Sequence, residues 1–139
     1  MTTDTDETDI VALLDREAKA FWDKDFAAFA DCFVHAPSTR RLGWSPLGIV
    51  NTPGWDKIAE RMQKLMRENP TPNPSAAALR RDNLNINVNG DLAWLTFDQT
   101  SIATGDRQMD MPGISHEARV MERQDGTWKI AFTSFLLEP

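Results

Sequence analysis

Four runs of alternating apolar and polar residues fill positions 84–137, and two of the gaps between them are turn dipeptides that dictate how the runs connect. Asn89-Gly90 separates the first pair of runs, and Asp125-Gly126 separates 115–123 from 127–137. Such dipeptides tolerate the positive φ angles of a two-residue loop, so each predicts a tight antiparallel hairpin. A polar loop over 104–113 joins the two hairpins into a meander. In the first strand Leu84, Ile86 and Val88 alternate with Asn83, Asn85, Asn87 and Asn89. With Asn89-Gly90 as the loop, Val88 faces Asp91, Ile86 faces Ala93 and Leu84 faces Leu95. Phe97 then joins this apolar face, and Asn83, Asn85, Trp94, Thr96 and Asp98 share the other.

An apolar sheet face needs a cover, and the first half of the chain supplies helices for it. Ile10, Leu13, Leu14, Ala18, Phe21 and Trp22 recur at helical spacing. Asp4, Asp6, Glu7 and Asp9 crowd the beginning of this helix, where its dipole favours negative charge. Residues 1–7 are nevertheless expected to be disordered, leaving 8–139 as a single domain. Asp25 is placed to cap a short second helix carrying Phe26, Phe29 and Phe33. The runs 32–36 and 40–44 flank Pro37-Ser38-Thr39 as a short irregular hairpin. Thr52-Pro53 predicts the start of a third helix, a hydroxyl cap followed by proline at the first position. Its stripe is Ile58, Met62, Leu65 and Met66, and it stops at Asn69, before Pro70. The expected class is therefore α+β: a cone-shaped, curved antiparallel sheet with three helices packed on its concave face. Helices cannot fill the open end of such a sheet, so a cavity is expected between them.

With 139 residues and a net charge of −6, the chain would be repelled by a phosphate backbone, and no nucleic-acid partner is expected. The single Cys32 rules out an internal disulfide, fits a reducing compartment and reads as a small buried filler. The acidic start MTTDTDETD is unlike a signal peptide, and no apolar run approaches the roughly 20 residues that span a bilayer. A cytoplasmic protein without membrane contact is expected. There is no glycine-rich phosphate loop, no GxSxG elbow and no CxxC pair, so no cofactor is expected. His35 and His116 lack HxH or HExxH spacing, so neither is any metal.

The most specific block is Glu117-Ala118-Arg119-Val120 followed by Arg123-Gln124-Asp125-Gly126-Thr127-Trp128-Lys129. It resembles the nuclear transport factor 2-like superfamily, which includes SnoaL-like proteins and the association domain of calcium/calmodulin-dependent protein kinase II. Leu47-Gly48, Gly54 and Gly90 fit that association domain as well, and the resemblance runs from the first helix to Leu137. It implies the cone fold, also called cystatin-like, and a set of lining positions. Arg119 takes the place of the arginine in the association domain's motif. Thr96, Ile58 and Phe135 stand where that domain has an arginine, a histidine and an arginine, and Phe132 and Ser134 replace two histidines. The implied pocket keeps one cation, is otherwise oily, and takes a small apolar or weakly anionic molecule.

Arg119 is the leading candidate, because a guanidinium inside a cone must be paired. Its partner is either an internal carboxylate, Glu117 or Asp98, or the anionic group of a ligand. Asp98 is a general-base candidate if it faces the cavity, and otherwise a solvated carboxylate near a strand end. His116 and His35 are the other candidate proton carriers. Trp44 and Trp55 are expected to flank the mouth, with Trp94 on the ligand, while Trp128 follows the turn as a structural residue. Met109 and Met111 place adaptable apolar surface in the long loop, a lid or a dimer contact. Two functions remain open. One is a SnoaL-like small-molecule-binding protein, working as a proton-transfer isomerase, cyclase or dehydratase. The other is a non-catalytic homo-oligomerisation module of the association-domain type. Either expects a homodimer, since the sheet's uncovered face needs a partner.

Overall fold

The computed structural model describes residues 3–77, 79–101 and 112–139. The elements are α1 (Thr3–Asp23), α2 (Phe26–Asp31), β1 (Arg40–Ser45), β2 (Gly48–Pro53), α3 (Trp55–Glu68), β3 (Arg80–Asn89), β4 (Leu92–Ser101), β5 (Gly113–Gln124) and β6 (Thr127–Leu137), with a 3-10 turn at Pro74–Ala77. The strands form one sheet in the order β2-β1-β6-β5-β4-β3. Every neighbouring pair is antiparallel except β1 and β6, which run parallel. The α+β fold with three helices on one sheet face is thus as expected, but the sheet has two more strands and is mixed.

Periodicity explains what is buried. Ile10, Leu13 and Leu14 of α1, Phe29 of α2, and Ile58, Met62 and Met66 of α3 meet Ala93, Leu95, Phe97, Met121 and Ile130 from the sheet in one core. Asp25 caps α2 by accepting a hydrogen bond from the Ala28 amide at 3.1 Å. The segment expected to be disordered is helical from Thr3 onward. Asp6 is buried there, accepting from Arg123 Nη1 at 2.6 Å and Trp128 Nε1 at 3.4 Å. Its two partners lie on the β5–β6 hairpin, so this carboxylate ties the first turns of α1 to the sheet.

Three local readings are corrected. Asp125-Gly126 is the β5–β6 loop as expected, with Gln124 opposite Thr127 and positive φ at both loop residues. The β3–β4 loop, however, is Gly90-Asp91 rather than Asn89-Gly90, so Val88 pairs with Ala93 and Ile86 with Leu95. The slip is an even number of residues, and the faces of both strands survive it. Thr52-Pro53 ends β2 instead of starting α3, which begins after Gly54 at φ 88° without a side-chain cap. The irregular hairpin around Pro37 is replaced by the β1–β2 hairpin; Phe33 contributes only an isolated bridge to Ile130. Residues 102–111 of the long loop, with Met109 and Met111, lie outside the described residues.

A bulge in β6 decides which of its side chains enter the cone. Val120 pairs with Phe132 and Met121 with Ile130, leaving Ala131 without a partner. The extra residue flips the alternation of the strand. Trp128 and Ile130 point into the core before it; Thr133, Phe135 and Leu137 are the buried ones after it. Among the described residues no helix is long and apolar enough to cross a membrane.

Candidate functional site

On β5 the inward positions are Ser115, Glu117 and Arg119, all buried. They look toward α1 and close a cavity of about 100 Å³ whose other walls include Glu17, Phe21, Arg41, Arg81, Phe97 and Phe135. This has room for only a few water-sized groups. Arg119 Nη1 donates to Glu117 Oε1 at 2.8 Å, and its Nη2 lies 3.7 Å from Glu17 Oε1. The guanidinium sits 5.4 Å from the centre of the Phe97 ring, and the Ser115 hydroxyl hydrogen-bonds Glu117. Burial works against the Arg119 charge, but Glu17 and Glu117 together outweigh it and hold the group more firmly protonated than usual.

Arg41 is the opposite case. Its guanidinium lies 5.4 Å from the Phe135 ring centre and makes no ion pair with any described residue. Burial lowers its pKa from the ordinary value; the attraction of Glu17, which exceeds the repulsion of Arg119, does not make up for it. Arg81 is paired outward, with Nη1 2.6 Å from Asp15 Oδ1. Five buried side-chain atoms lack a hydrogen-bond partner among the described residues, and four of them belong to residues that line this cavity: Arg41 Nε, Arg81 Nε, Arg119 Nε and Thr133 Oγ1. Buried polar groups without partners are uncommon, and four around one hollow mark a place built for polar contact.

A wider cleft of about 750 Å³ opens beside this chamber, where the β1–β2 turn approaches the C-terminal end of β6. It shares Phe21, Arg41 and Phe135 with the chamber, and its remaining walls are mostly apolar: Leu47, Val50, Leu65, Ile114 and Leu137. A third hollow, of about 350 Å³, lies between α3 and β1–β2 and is also lined by Arg41.

Most other candidates lie elsewhere. The helices cover the face that bears Leu95 and Phe97, so Trp94, Thr96 and Asp98 point outward. Asp98 accepts from Asn83 Nδ2 and His116 Nδ1, both at 2.7 Å, and these bonds hold its carboxyl below the usual range. His116 also contacts Glu138 Oε2 through Nε2 at 2.6 Å, and the two carboxylates raise its pKa. Neither residue reaches the cavity, and Asp98 is not a partner of Arg119. His35 stacks on Trp55 at 4.3 Å and 7°, with Nε2 2.7 Å from the Ala30 carbonyl. Trp55 and Ile58 belong to the core, Ile58 also lining the third hollow, and Trp44 is exposed on the outer face. Phe132 and Ser134 lie outside the inward set because the Ala131 bulge inverts the end of β6. The residues missed are Arg41, Glu17, Arg81 and Thr133. Among the described residues no group of three or more His, Cys, Asp or Glu side chains is placed to hold a metal ion.

A bent sheet wrapped around helices, with a polar chamber inside its hollow, defines a cone-shaped pocket protein. The chain belongs to the SnoaL-like domain family, whose pattern it matches over residues 10–135. Solved structures agree on the fold. A cystatin-like fold protein from Burkholderia xenovorans is 22% identical with a TM-score of 0.67, covering 95% of this chain and 92% of that one. A ketosteroid isomerase-like protein from Parabacteroides distasonis is 19% identical at TM-score 0.66, covering 93% and 85%. A protein similar to the calcium/calmodulin-dependent protein kinase II association domain, from Thiobacillus denitrificans, is 11% identical at TM-score 0.66, covering 92% and 94%. No curated protein matches the chain.

Proposed function

We propose that this protein binds a small organic molecule in the hollow of the cone and holds an oxygen function of it against the Arg41–Arg119 cluster. The observation that carries the reading is that four residues with a partnerless buried polar atom, Arg41, Arg81, Arg119 and Thr133, line one cavity. A core position needs no such groups, because apolar residues of the same volume would be at least as stable. The pocket is more polar than the oily one expected, with Glu17 and Glu117 beside the guanidinium groups. If the bound molecule undergoes proton transfer, as in an isomerase, cyclase or dehydratase, the carboxylates at hand are Glu17 and Glu117. Native mass spectrometry of the purified protein, with and without the double substitution Arg41→Ala and Arg119→Ala, tests the reading. A copurified small molecule, or one taken up from a carboxylic-acid and ketone library, is expected on the wild type and lost from the variant. Failure of every compound to bind a folded wild type refutes it.

A second role rests on the outer sheet face, where Trp44, Trp94, Ile114 and Leu136 are exposed together with Ile49. This apolar surface fits a homodimer formed back to back, with Ile49 and Ile114 at the rim where it meets the wide cleft. Sedimentation of the wild type and of Trp94→Arg distinguishes the states: a dimer is expected for the first and a monomer for the second.

A further inference from the structure

We infer that the ligand is a monocarboxylic acid with an extended apolar body, its carboxylate on Arg41 and its carbon chain or ring in the wide cleft. The inference rests on the reading of the cone as a binding site and names what that site selects. The two interior guanidinium groups are not equivalent. Arg119 is committed to Glu117 at 2.8 Å and to Glu17 at 3.7 Å, so an incoming anion would have to compete with two carboxylates. Arg41 has no such partner among the described residues, only the Phe135 ring. An anion at Arg41 gains a charge-assisted contact and relieves the cost that burial imposes on that cation.

Position then decides shape. Arg41 is common to the small chamber and to the wide cleft, as are Phe21 and Phe135. A carboxylate there cannot carry a bulky body inward, because the chamber holds only about 100 Å³. The body must extend outward into about 750 Å³, against Val50, Leu65 and Leu137, a volume within the usual range for organic ligands. Among the described residues the charged side chain lining the cleft besides Arg41 is Glu138, itself bonded to His116, so the cleft offers a second acidic group no cation of its own. A compact diacid is therefore disfavoured, and a medium-chain or aryl-alkanoic monoacid is favoured.

Isothermal titration of the full chain with octanoate, octan-1-ol and succinate tests this. Octanoate is expected to bind about tenfold or more tightly than either of the others, the margin of a charge-assisted hydrogen bond. Arg41→Met is expected to bring octanoate down to the level of octanol, and Arg41→Lys to restore part of the preference. Melting curves of both variants confirm that they are folded. Binding of succinate as tight as octanoate, or an acid preference that survives Arg41→Met and is lost in Arg119→Met, overturns the inference while leaving the binding site in place. No binding of acid or alcohol by the folded wild type overturns the inference and counts against the binding site as well.

Discussion

Removing Glu117 should damage this protein more than removing the ion pair altogether. At an effective dielectric of about 20, the attraction between Arg119 and Glu117 at 2.8 Å is about 6 kcal/mol, and that to Glu17 at 3.7 Å about 4.5 kcal/mol. Glu117→Gln deletes the first and keeps the second, and it also removes the several kcal/mol that burying the Glu117 charge costs. The amide oxygen still accepts from Ser115, so that bond survives. Breaking a buried pair on one side usually costs about 3–5 kcal/mol. With Glu17 as reserve, the expected loss is about 2–3 kcal/mol. The double variant Glu117→Met with Arg119→Met removes both charges of the pair and the repulsion of Arg119 on Arg41, with Glu17 left attracting Arg41, and should lose less than Glu117→Gln alone. Urea unfolding at neutral pH, followed by tryptophan fluorescence, measures both. A loss below about 0.5 kcal/mol for Glu117→Gln, or a double variant worse than the single one, would refute the claim that Arg119 depends on its carboxylates.

Three further perturbations probe single contacts elsewhere in the molecule. His116 has its pKa raised from 6.5 by Asp98 and then Glu138, so its contribution is complete below 6.5 and is lost as pH rises through the raised value. Asp98, held below 3.8, contributes above that value and loses its contribution as pH falls. The stability gap between wild type and His116→Gln should therefore narrow as pH rises above 6.5; a gap that stays constant counts against the clamp. Gly43→Ala places a Cβ 2.4 Å from the Phe135 carbonyl oxygen and 2.8 Å from its ring, and should cost about 1–3 kcal/mol in urea unfolding. Cys32 is buried and its thiol is pushed up to about 11, so Ellman's reagent at about pH 8 should leave the native protein unmodified and titrate one thiol after denaturation.

The local half of this architecture was legible in the residues. Asp125-Gly126 specified its hairpin, helical spacing specified α1, and the alternation 115, 117, 119 put Arg119 on the same face as Glu117. The same alternation grouped Trp94, Thr96 and Asp98 opposite Leu95 and Phe97, and since helices cover the apolar face, that group had to lie outside the cone. What stayed hidden depends on contacts distant in sequence. Arg41 faces the chamber because β1 pairs with β6, about ninety positions later, and no local pattern announces a parallel pairing. Glu17 looks like any polar residue on a helix until α1 is laid across the sheet. Ala131 gives no hint of its bulge, and one unpaired residue was enough to turn Phe132 and Ser134 the wrong way round.

Strand β6 lies between β1 and β5, so the stretch that completes the middle of the sheet is the last strand to be synthesised. A ribosome that has finished the β1–β2 hairpin must still add more than seventy residues before that hairpin finds its neighbour. Until Thr127–Leu137 emerges, Phe29, Phe33 and Ile58 have no Ile130 to close over. The growing chain therefore keeps that hydrocarbon bare until β6 emerges, and the sheet cannot close over it any earlier.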